Sequence, residues 1–89
     1  IPSDDPIEHV VLRAYWNAPA YLRTLPLHES QKEIESDEES TTFSYDVKLT
    51  YDVMQLIMQQ GAQVEILEPK KLRDQMRNLA KTLTSYYKD

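Results

Sequence analysis

The sequence predicts an α+β fold in one small domain, an antiparallel four-stranded sheet with two helices on one face and an additional C-terminal helix. Three observations carry this. Phe43, Tyr45, Val47 and Leu49 alternate with Thr42, Ser44, Asp46 and Lys48, the period of a half-buried strand with an aromatic inner face. Leu72, Met76, Leu79, Leu83 and Tyr86 recur at spacings of four and three, one stripe of a long helix. The single glycine, Gly61, falls after a second helical stripe, where a left-handed residue closes a helix.

The elements follow in order. Val10, Leu12 and Ala14 alternate with Val11 and Arg13, a strand with one apolar face. Asn17 caps a first helix with Pro19 in its first turn; Tyr21, Leu22 and Leu25 form its inward face and Pro26 stops it. A short strand spans residues 31–36 around Ile34, and Asp37-Glu38-Glu39-Ser40 makes a solvated turn into the aromatic strand. Thr50 caps the second helix, whose stripe is Val53, Leu56 and Ile57. Val64 and Ile66 alternate with Gln63 and Glu65 in a fourth strand, and Pro69 opens the last helix at its first position. This order is the ferredoxin-like βαββαβ pattern of split βαβ units. The expected core contains Phe43, Tyr45, Val47, Val53, Leu56, Ile57, Val64 and Ile66. The other sheet face, with Val11, Arg13, Thr42, Ser44, Asp46, Lys48, Gln63 and Glu65, is too polar for a second core; it is wet or meets a polar partner.

Composition sets the class. With 40% hydrophobic and 28% charged residues the 89-residue chain is expected to fold around one core. The absence of cysteine excludes a disulfide framework and a thiolate metal site and fits the cytoplasm. No apolar run reaches membrane-span length. Residues 1–7, with Pro2 and Pro6 flanking two aspartates, read as a linker, and 8–89 as the domain. The net charge of −5 is segregated: residues 1–68 carry 4 basic and 13 acidic side chains, residues 69–89 carry 6 and 2. The acidic body argues against non-specific nucleic-acid binding, while the basic tail permits a local anionic contact.

Candidate chemistry is sparse. His28 stands in a proline-bounded loop with Ser30 and Gln31; a catalytic triad can be written there, but His28 and Gln31 fastening the loop by hydrogen bonds is the better account. Five carboxylates in residues 33–39 fit no Ca²⁺ loop and read as a hairpin tip. One glycine cannot build a phosphate-cradling loop. Base stacking on the sheet, as in RNA-recognition domains, would need exposed aromatics, whereas Phe43 and Tyr45 have the parity of the core. Lys70, Arg73, Arg77 and Lys81 form one basic stripe on the last helix, either a solubilising face or a phosphate contact. Arg13 on the polar sheet face is the other anion candidate, against an ion pair with Asp46 or Glu65. No catalytic residue, cofactor or metal is expected.

Several stretches together resemble the C-terminal extension that follows WYL domains in bacterial transcription regulators, the WCX domain. They are Val10-Val11-Leu12-Arg13, Ala20-Tyr21-Leu22, Leu27-His28-Glu29-Ser30-Gln31, the run from Gln60-Gly61 to Glu68-Pro69 with Leu72-Arg73, and the closing Tyr86-Tyr87. The resemblance covers the chain from about residue 8. It implies a parent chain with helix-turn-helix and WYL domains. In it, this extension helps form a homodimer and borders the site of a nucleotide or short single-stranded nucleic-acid effector, Arg13, His28, Gln31, Arg73 and Arg77 being the candidate contacts. The alternative is a structural protein-interaction domain with no ligand of its own.

Overall fold

A computed structural model describes residues 6–88. Its elements are β1 (Ile7–Tyr15), α1 (Ala18–Thr24), β2 (Lys32–Ser36), β3 (Ser40–Lys48), α2 (Tyr51–Met58), a 3₁₀ turn (Gly61–Gln63), β4 (Val64–Glu68) and α3 (Lys70–Tyr86). The fold is thus α+β, with one four-stranded antiparallel sheet and three helices; the strand order is β2-β3-β1-β4. Most of the expected linker, residues 1–5, lies outside the described residues, and β1 already begins at Ile7.

One face of the sheet carries the core. Val10, Leu12 and Ala14 of β1, Phe43, Tyr45 and Val47 of β3, and Ile66 of β4 pack with Ala18 and Leu22 of α1, Ile57 of α2 and Leu72 of α3 in one cluster. The alternation read in β1 and β3 therefore selects the buried face correctly, because successive side chains of a strand point to opposite sides.

Three expectations need correction. Of the three residues read as the inner face of α1 only Leu22 is buried; Tyr21 and Leu25 are exposed, and Ala18, four residues before Leu22, joins it in the core. A seven-residue helix seated by Pro19 in its first turn presents one narrow face, and the larger side chains fall on its flank. Leu56 lies at the rim, 38% exposed, while Val53 and Val64 are only partly buried. Pro69 occupies the cap position of α3 rather than its first turn.

Two local signals act as read. Thr50 caps α2, its Oγ1 accepting the Val53 N–H at 3.3 Å. Gly61 has φ +60, although α2 ends earlier, at Met58, and the glycine opens the 3₁₀ turn. Strand β2 is exposed along its length, and Ile34 sits where its pairing with β3 shifts register, 56% exposed. The polar face is drier than expected at its centre. Val11, Thr42 and Ser44 are buried; Lys32 stands opposite Ser44, Arg13 and Glu35 flank Thr42, and their long stems shade the small residues. Among the described residues no helix is long and apolar enough to cross a membrane.

Candidate functional site

The five candidate contacts fall into two groups. His28 and Gln31 belong to the loop between α1 and β2. Gln31 Nε2 donates to the Leu22 carbonyl at 2.9 Å, and its Oε1 accepts from the Leu27 N–H at 3.2 Å and the Tyr45 hydroxyl at 2.7 Å. His28 Nδ1 lies 2.8 Å from Ser30 Oγ and accepts the Ser30 N–H at 3.1 Å; that Oγ also accepts the Asp46 N–H at 2.9 Å. These bonds satisfy a loop that leaves a helix and must join a strand edge. Burial raises the Tyr45 phenol above its ordinary value, so its hydroxyl stays a proton donor to Gln31.

Arg13 and Arg73 meet Glu65 on the other flank, and Arg77 lines the same groove as Glu65 and Arg73. Arg13 stands opposite Glu65 in the β1–β4 register. Its guanidinium is held in the charged form chiefly by the Tyr15 hydroxyl, then by Glu65 and Glu35. Tyr15 in turn donates to Glu65 Oε1 at 2.6 Å. Asp46, the other carboxylate considered for Arg13, faces His9 at 2.9 Å. From α3, Arg73 Nη1 approaches Glu65 Oε2 at 3.9 Å and donates to the Ile66 carbonyl at 3.2 Å.

This last bond explains how α3 is seated. β4 is an edge strand, and an edge carbonyl needs a donor. Arg73 supplies it, while Leu72, one position before, is buried in the core. Arg77 follows one turn later and donates to Asp74 Oδ1 at 3.1 Å; Lys70 reaches Asp74 Oδ2 at 2.9 Å. These cations hold the Asp74 carboxyl below its ordinary value, Lys70 foremost. The basic stripe is thus partly neutralised from within, by one acid on its own helix and one on β4.

Between α3 and β4 runs a groove of about 320 Å³ with Gly61, Glu65, Arg73 and Arg77 around an apolar floor of Ile66 and Met76. Its chemistry is that of an anion contact with a resident carboxylate. Across the 3₁₀ turn a second cleft, of about 270 Å³, is lined by Asn17, Ala18, Tyr21, Gln59, Gln60 and Gln63. Sequence periodicity did not single out Tyr15, Asp74 or Trp16. The Asp74 pairing was readable, three and four residues from Arg77 and Lys70; the Tyr15–Glu65 bond was not, because it joins residues fifty apart in sequence. Among the described residues no three His, Cys, Asp or Glu side chains are grouped to hold a metal ion.

No curated protein and no solved structure matches the chain. A family model does, that of the WCX domain, over residues 6–84, a stretch taking in all four strands and α3 to within its last turn. The chain belongs to the WCX family, the domain associated with WYL-type transcription regulators.

Proposed function

We propose that this domain is the C-terminal regulatory part of a bacterial helix-turn-helix regulator of the WYL type, working in the cytoplasm, where it helps join two copies and borders the effector site. The carrying observation is the double character of α3. Near its start Arg73 and Arg77 line the groove against β4, and further along Leu83 and Tyr86 of its apolar seam are 45% and 70% exposed. One rigid helix thus touches both an anion-compatible groove and an apolar stripe that its own domain leaves open. A ligand in the groove and a second subunit on the seam would act on the same element, which is what coupling of sensing to assembly requires. The effector class that fits is a nucleotide or short single-stranded nucleic acid, whose phosphate suits paired arginines. The reading gives His28 and Ser30 a structural role, with no catalytic residue and no cofactor. The position of β3 between β1 and β2 supports describing the fold as ferredoxin-like.

The test uses the parent regulator. Reversing Arg73 and Arg77 to Glu should weaken the effector response while the protein still folds. A double variant that folds, dimerises and responds as the wild type does would reduce the stripe to a solvated face. One observation favours a second reading, a protein-interaction domain without a ligand: Lys70, Arg73 and Arg77 already face Asp74 or Glu65. Unchanged effector response with lost assembly in α3 seam variants would select it.

A further inference from the structure

We propose that the effector site continues across the Gly61–Gln63 turn onto Trp16, whose indole stacks on the uncharged base of a nucleotide while Arg73 and Arg77 hold its phosphate. This deepens the effector reading and rests on it. Trp16 has φ +55, the one positive φ outside glycine among the described residues. The left-handed region penalises any Cβ, and a bulky aromatic there is a strained choice. Strain of this kind is ordinarily held in place by burial, yet Trp16 is 75% exposed. The chain therefore turns its single tryptophan outward at a conformational cost that its own packing does not explain.

The residue after Trp16, Asn17, opens onto a cleft with the chemistry of a base site. That cleft carries the side-chain amides of Asn17, Gln59, Gln60 and Gln63 beside the half-exposed ring of Tyr21. Asn17 sits at the cap position of α1 without making a capping bond, and the Gln59 and Gln63 amides have no hydrogen-bond partner among the described residues. An amide presents a donor and an acceptor side by side, the pattern that reads the edge of a base, and aromatic faces receive unstacked bases. No charged side chain lines this cleft, which suits a neutral ring and not a phosphate.

The charge needed for a phosphate lies on the other side of the same turn. Gly61 lines the arginine groove, and Gln60 and Gln63 line the amide cleft. A three-residue 3₁₀ turn spans roughly 6 Å, so the two recesses open on either side of one short segment. The two sides are also joined by side chains: the Tyr15 ring lies 6.3 Å from the Trp16 ring, and its hydroxyl bonds Glu65 at 2.6 Å, the carboxylate that Arg73 faces.

Because Trp16 is the single tryptophan, its fluorescence reports on this site directly. The chain is titrated with a nucleoside monophosphate, the matching nucleoside and inorganic phosphate, following Trp16 emission and heat of binding. The nucleotide and the nucleoside should quench the emission and inorganic phosphate should not. Trp16→Ala should weaken nucleotide binding about tenfold, the typical loss of one stacking contact, leave inorganic phosphate binding unchanged, and be largely rescued by Trp16→Phe. Nucleotide binding that leaves Trp16 emission and Trp16→Ala affinity unaltered overturns the stacking site while the effector reading stands. Absence of any nucleotide or phosphate binding, with the fold intact, overturns both.

Discussion

The Tyr45 hydroxyl donates to Gln31 Oε1 at 2.7 Å, tying the α1–β2 loop to the central strand β3 from the core side. The same amide oxygen accepts the Leu27 N–H, and its nitrogen caps the Leu22 carbonyl, so one side chain serves three polar groups. Replacing Gln31 with Ala strands a buried phenol and two backbone groups. Gln31→Ala should lower unfolding stability by about 2 kcal/mol, and Tyr45→Phe, which removes the donor as well as its need, by about 1 kcal/mol. Urea unfolding of the two single variants and the double variant measures the difference; equal losses would show that the loop is fastened elsewhere.

Gly61 provides a clean test of backbone conformation. Its φ is +60, and a Cβ built there would meet nothing within 4 Å, so a substitution costs conformation and no clash. Gly61→Val should destabilise by about 1 kcal/mol or more, and Gly61→Asn, which tolerates the left-handed region, by clearly less. Identical midpoints in chemical unfolding would mean the turn rearranges.

The two ends of the α3 seam should behave differently. Leu72 is fully buried, and Leu72→Ala should cost about 3 kcal/mol, whereas Leu83→Ala at an exposed position should stay within about 0.5 kcal/mol in the monomer. A large loss at Leu83 in dilute, monomeric protein would place it in its own core.

Assembly is read from the same seam. The helix leaves Leu83 and Tyr86 open, and an exposed apolar stripe is an association surface. In sedimentation equilibrium the chain should dimerise at least weakly, and the Leu79→Glu, Leu83→Glu variant should be monomeric. A wild type that stays monomeric at high concentration would remove assembly from the proposed function.

Acid sensitivity should trace to the β2–β3 turn. Asp37 Oδ1 accepts the N–H groups of Glu39 and Ser40, both at 2.8 Å, and these bonds hold its carboxyl below the ordinary value of 3.8. A lowered folded pKa contributes stability above the unfolded value and loses it as pH falls through the folded one. Asp37→Ala should therefore be less stable than wild type at neutral pH and lose less on acidification below about pH 4. Parallel acid limbs for the two proteins would assign the sensitivity to other carboxylates, with Glu33, lowered by Arg23, the next to replace.

What sequence alone decided is the local grammar. The period of two in β1 and β3 picked the buried side of both central strands, Thr50 and Gly61 marked their turns, and the order of elements followed from these. Such signals are local because the backbone's own periodicity and the few residues suited to caps and left-handed turns create them. Tertiary structure decided how far each helix reaches the core. Ala18 outranked Tyr21, and Leu56 was left at the rim, since a stripe says which residues share a face and not how closely the sheet approaches it. It also decided the site. The basic stripe was visible, but its partial neutralisation by Glu65, and the meeting of Arg13, Tyr15 and Arg73 there, depend on β4 lying between β1 and α3. The outward turn of Trp16 was unreadable for a related reason: a positive φ is no preference of tryptophan, and no local signal in the sequence marks it.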